Sequence, residues 1–151
     1  MPTFSNLKDL EKYMNQQAKK AMSKGKNVKR AVVDEMIEKI DKNIYPKYDP
    51  KMYTRQTTDG GLTDPENFAM DETAEGVSIY STREATDRSG QDVYALEIIE
   101  GHKEYSIEDT YGYGYEKPRH AVEPTREALR NSNKLTNAMK DDLKSVGLNI
   151  K

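Results

Sequence analysis

Histidines, cysteines and closely spaced carboxylates do most protein chemistry, and this chain of 151 residues has two histidines and no cysteine. Without cysteine, disulfides and thiolate metal sites are excluded. Neither His102 nor His120 has a metal-binding spacing such as H-E-x-x-H. His102 lies between Glu100 and Glu104, so a weak acid–histidine site can be drawn there, although a solvated loop histidine is the commoner outcome. No G-x-S-x-G elbow is present. Gly112-Tyr113-Gly114 lacks the third glycine and the Lys-Ser/Thr pair of a phosphate loop. In Asp87 to Asp92, Arg88 and Gln91 break the pattern of a calcium loop. Between Asp59 and Asp109 there are 14 acidic and 3 basic residues, so closeness of carboxylates in sequence points to a solvated face rather than a site. The expectation is a protein that is not an enzyme, with no catalytic residues, no metal and no cofactor.

Two other patterns bear on binding. Lys19, Lys20, Lys24, Lys26, Lys29 and Arg30 cluster around Gly25. Such a cluster can meet phosphates, but it has no interleaved aromatic residues for stacking on bases. A solvated helix face is the simpler reading. The second pattern is Tyr111-Gly112-Tyr113-Gly114-Tyr115. In extended form its three rings lie on one face. Exposed tyrosines on a glycine-rich backbone suit an arm that docks on a neighbour, with Tyr111, Tyr113 and Tyr115 as anchors; the alternative is a flexible loop or a hairpin packed on its own sheet.

The elements that must carry these residues follow from periodicity. Leu7, Leu10, Met14, Ala18, Ala21 and Met22 recur at helical spacing after a cap at Ser5 or Asn6. Gly25 and Asn27 interrupt, and Val28, Val32, Met36, Ile37, Ile40 and Ile44 resume the pattern until Pro46. The prolines and tyrosines of Tyr45 to Arg55 form an extended arm into a first strand around Met52 to Thr57. Further strands are expected at Asn67 to Met70, at Gly76 to Arg83 and at Val93 to Glu100, the last apolar on both faces and so central. His102 to Lys117 is a long loop. A last helix begins near Pro124, carries Leu129, Leu135, Met139, Leu143 and Val146 on its core stripe, and stops at Gly147.

The fold class is α+β: long N-terminal helices and a C-terminal helix packed on a small antiparallel sheet, with long extended loops. One domain spans 1–151, helical over 1–44, strands and loops over 45–117, and the C-terminal helix over 118–151. With 34% hydrophobic and 33% charged residues, the core is modest and exposed segments become ordered against a partner. Ten tyrosines make up nearly all the aromatic content, and tyrosine suits surfaces that are wet at one time and buried at another. Basic ends flank the acidic middle, which allows one copy's basic face to meet a neighbour's acidic face. No stretch approaches the roughly 20 apolar residues of a membrane span, and the N-terminus lacks a signal-peptide pattern. No membrane role is expected, and the protein is expected in the cytosol or in something assembled there.

The order of these features resembles the tail-completion, or head–tail joining, proteins of long-tailed bacteriophages. Four stretches carry the resemblance. They are the helix ending in Ile44-Tyr45-Pro46; Tyr53-Thr54-Arg55 followed by Gly61-Leu62-Thr63-Asp64 and Asn67-Phe68; Leu96-Glu97-Ile98-Ile99-Glu100-Gly101-His102; and Lys117-Pro118-Arg119-His120 before Pro124. Each is short, and together they run through most of the chain. The resemblance implies a virion protein assembled in the host cytoplasm. It would form a homo-oligomeric ring, of six copies, between the head connector on the portal side and the tail. DNA would pass through the ring without sequence-specific binding. Tyr45, Tyr48, Tyr53, Arg55, Leu62, Phe68, Tyr111, Tyr113 and Tyr115 are the partner-contact candidates. A minor capsid or tail-terminator protein, or a small nucleic-acid-binding regulator using the basic helix, are the alternatives.

Overall fold

Asn6 opens the first helix, α1 (Leu7–Lys24), because its side-chain oxygen accepts the Asp9 N–H at 2.9 Å and satisfies one of the unpaired donors of the first turn. The computed structural model describes residues 2–47, 56–86, 92–100, 119–148 and 150. The apolar stripe of α1 divides in two. Its second half, around Ala21, packs on the body, while Leu7 is 84% exposed and Leu10 and Met14 are also exposed. That first half leaves its apolar stripe uncovered, which the periodicity alone does not reveal.

Helix α2 (Asn27–Asn43) follows after Gly25 and supplies Val33, Met36 and Ile40 to the core, with Ile44 just beyond it. A 3-10 turn at Tyr45–Lys47 ends this unit, where Pro46 removes the donor another helical turn would need. Leu62, Phe68, Leu96 and Ala121 complete the core cluster. Burying each large apolar side chain of this kind contributes roughly 1.5–3 kcal/mol.

The strands form two small antiparallel pairs. In the first, β1 (Phe68–Glu72) pairs with β2 (Val77–Ser81), with Met70 opposite Ile79. In the second, β3 (Glu84–Thr86) pairs with β4 (Asp92–Tyr94). The expected central strand over Val93 to Glu100 is corrected here. Only Val93 and Tyr94 belong to a strand, and the chain then turns into a short helix, α3 (Ala95–Ile99). A short apolar run fits either period, and Ala95, Leu96 and Glu97 all favour helix. Of the strand expected around Met52 to Thr57, residues 52–55 lie outside the described residues, and Gln56 and Thr57 are in no strand.

The expected last helix is two helices, α4 (Val122–Arg130) and α5 (Lys134–Ser145). Asn131-Ser132-Asn133 separates them, residues whose side chains compete for backbone hydrogen bonds and so interrupt helices. Pro124 sits in the first turn of α4, where its missing N–H costs nothing. Gly147 does stop α5: its φ of 91° is open to glycine, and its N–H donates to the Lys144 carbonyl at 3.0 Å while that of Leu148 donates to Leu143 at 3.1 Å. The architecture is α+β with small antiparallel sheets.

Candidate interaction surface

Helices α2 and α4 both begin without a capping side chain of their own. Each is capped instead by a buried carboxylate from a distant element. Asp142 of α5 is fully buried and accepts the backbone N–H of Asn27 at 3.1 Å and of Val28 at 2.9 Å, and the Asn27 side-chain amide at 2.8 Å. Glu100, also buried, accepts the N–H groups of Ala121 and Val122, each at 2.7 Å. A negative charge at a helix N-terminus is stabilised by the unpaired N–H groups there. Gly25 is required at the first of these joints, since a Cβ at that position would overlap the Asp142 carboxylate.

A third buried carboxylate is paired with cations. Glu35, 3% exposed, meets Lys134 at 2.6 Å and Lys39 at 2.9 Å. The hydrogen bonds from Lys134 and then Lys39 hold its carboxyl below the ordinary glutamate range, against the opposing effect of burial. Asp64 accepts the N–H of Gly60 at 2.6 Å and of Glu66 at 2.9 Å, and these two backbone bonds lower its pKa. These carboxylates therefore hold the chain's own backbone and lysines in place. Among the described residues, no three His, Asp or Glu side chains gather closely enough to hold a metal ion. His120 is exposed, and His102 lies outside the described residues.

One open surface is largely apolar. A groove of about 470 Å³ runs between the sheet and the helices. Its floor is Val28, Val32 and Met36 of α2; one wall is Val122 and Leu129 of α4 with Leu135 and Met139 of α5; Met22 of α1 also lines it. The other wall is the consecutive run from Glu75 to Ile79. Neighbouring strand residues point to opposite faces, so a wall of consecutive residues is the edge of β2 rather than its face. Met36, Ile79, Val122 and Arg126 also line an adjoining recess of about 230 Å³, with Ser81, Tyr94 and Glu97 around it. Ser81 Oγ is buried and has no hydrogen-bond partner among the described residues. Tyr80 lines the same recess, and its hydroxyl donates to Asp71 at 2.6 Å, which raises its pKa.

The partner-contact candidates fall in three places. Leu62 and Phe68 lie inside the chain's own core, 8% and 3% exposed, so their side chains contact this chain and not its surroundings. Tyr45 packs against that core, with its hydroxyl 3.3 Å from the Gln56 carbonyl. Tyr48, Tyr53, Arg55, Tyr111, Tyr113 and Tyr115 lie outside the described residues. The structure thus brings Tyr45, Leu62 and Phe68 together, but around the core. The groove residues Met22, Val32, Met36 and Met139 carry the same helical periodicity as core positions, so the sequence gives no sign that they line an opening. The basic cluster does lie at one corner, where α1 meets α2, with Lys20, Lys24, Lys26 and Arg30 exposed. Arg119 ties the ends of two elements: its N–H donates to the Ile99 carbonyl at 3.0 Å, and its guanidinium to the Ile44 carbonyl at 3.2 Å.

Among known proteins, the chain is similar to the SPbeta prophage-derived protein YomN of Bacillus subtilis (strain 168), with 35% identity over 145 residues, 94% of this chain and 95% of that protein. No solved structure matches it. The YomN family model matches residues 6–145, from the cap of α1 to the end of α5. The joints at Gly25, Asp142 and Glu100, and the groove beside them, all fall within that match, and the chain belongs to the YomN family.

Proposed function

We propose that the protein is a structural component of a bacteriophage virion, a tail-completion or head–tail joining protein that acts as a ring between head connector and tail and does no catalysis. The prophage origin of its relative supports a phage setting. The observation that carries the assembly reading is the open apolar groove along the edge of β2. A groove of that kind is costly to leave in water and suits a protein contact. The ring of six, the neighbours on the portal and tail sides, and the virion as the place of residence come from the resemblance in the sequence. Asp71, Glu72 and Glu75 are exposed near the β1–β2 turn, and acidic residues facing a channel would let DNA slide past. The test is the mass of the purified protein across concentration, followed by electron microscopy alone and beside neck components. A ring, or a monomer recruited by those components, is expected. A monomer that ignores them would remove the reading.

A small nucleic-acid-binding regulator is the second reading, favoured by the exposed lysines and arginine at the α1–α2 corner. It requires duplex binding that weakens steeply as salt rises.

A further inference from the structure

We infer that the edge of β2 is a docking strand for the tyrosine–glycine segment of a second copy of this chain. The inference rests on the assembly reading above and names the surface that reading would use. Thr82 N–H donates to the Asn67 carbonyl at 2.7 Å and Thr73 N–H to the Gly76 carbonyl at 2.9 Å. Antiparallel pairs exchange hydrogen bonds at every second residue. With the β1–β2 register, this directs the N–H and C=O groups of Val77, Ile79 and Ser81 away from β1. Among the described residues no strand pairs with that side. A free edge beside an apolar groove selects an extended segment, whose backbone bonds to the edge while every second side chain enters the groove.

The chain that joins the described parts supplies an extended occupant, and the assembly reading places it on a neighbouring copy. Residues 101–118 leave at Glu100 and return at Arg119, whose N–H is bonded to Ile99. Glu100 lines the recess at the Ser81 end of the groove. Such a segment of 18 residues reaches about 30 Å from its anchor at full extension. It carries Tyr111, Tyr113 and Tyr115, two residues apart, which matches the side-chain repeat of about 6.6 Å along an extended strand. The groove offers Met22, Met36 and Met139, whose flexible thioethers pack well against aromatic rings. Docking on a neighbour gives a heterologous, head-to-tail contact, the kind that closes rings.

The test uses full-length chains and their mass across concentration. One variant alters the segment (Tyr111→Ser, Tyr113→Ser and Tyr115→Ser together). The other, Leu135→Glu, places a charge on the groove wall at an exposed position; Met139→Glu replaces it should Leu135→Glu fail to fold by circular dichroism. The wild type is expected to associate beyond a dimer, and each variant alone to associate at least tenfold more weakly. A one-to-one mixture of the two is expected to give a dimer that does not grow, since one sound segment meets one sound groove. A segment variant that assembles like the wild type, or a mixture that stays monomeric, overturns the inference while leaving an assembly role standing. A wild type that is monomeric alone but joins neck components also overturns it, whereas one that joins nothing removes the assembly reading itself.

Discussion

Val28 stands between two regions of opposite character. Its backbone N–H is held by Asp142 at the buried joint of α1, α2 and α5, and its side chain lines the open groove. At the joint, a fully buried carboxylate answers the donors of a helix that has no cap of its own. At the groove, among the described residues, the outward backbone groups of β2 have no partner strand and Ser81 Oγ is unpaired. The difference teaches where this chain keeps its stability and where it keeps surface for something else. Three buried carboxylates are committed inward, to helix starts and lysines, and the groove is lined largely by apolar side chains.

Breaking the joint has the largest expected effect. Asp142→Ala removes three hydrogen bonds and leaves the Val28 N–H unsatisfied in the interior, so unfolding free energy falls by about 3 kcal/mol, measured by urea denaturation. Gly25→Ala forces the added methyl into the Asp142 carboxylate and the Ala21 carbonyl, and is expected to cost about 2 kcal/mol in the same assay.

Glu35 sharpens the comparison through pH. Its native pKa is lowered from the ordinary 4.5. Its contribution to stability is therefore complete above that ordinary value and is lost as pH falls below it through the lower native value. Glu35→Gln should flatten this acid limb of the stability curve and lower stability at neutral pH by about 1–2 kcal/mol, read from denaturation at several pH values. The exposed start of α1, outside both regions, is expected to be indifferent. Leu7→Ser, at a position 84% exposed, should change stability by less than about 0.5 kcal/mol in urea unfolding.

Much of the helical framework is legible in the sequence. Asn6 as a cap and Gly147 as a stop are local signals with local causes, whereas Gly25, legible as a break, is required by the distant Asp142 carboxylate. The cap of α2 is not legible, because its carboxylate lies 114 residues away from Val28. Glu100 is hidden in the same way: in sequence it is one acid among many, and in the fold it is the buried acceptor at the start of α4. Ala95 to Ile99 read as strand because five apolar or mixed residues cannot declare a period. Leu62 and Phe68, drawn as contacts, sit in the core because β1 and the loop before it fold onto α2. The groove was out of reach for a related reason. Periodicity marks which residues face inward, but it does not say that two inward faces stop short of meeting.

Amide hydrogen exchange in dilute and in concentrated protein tests the contrast between joint and edge most directly. The Val28 amide is expected to be protected in both. The amides of Val77 and Ile79 are expected to exchange freely in the dilute chain and to become protected on assembly. Edge amides that stay unprotected in an assembled form would contradict β2 as the docking strand. Edge amides that are already protected in the dilute monomer would show that the edge is not open at all.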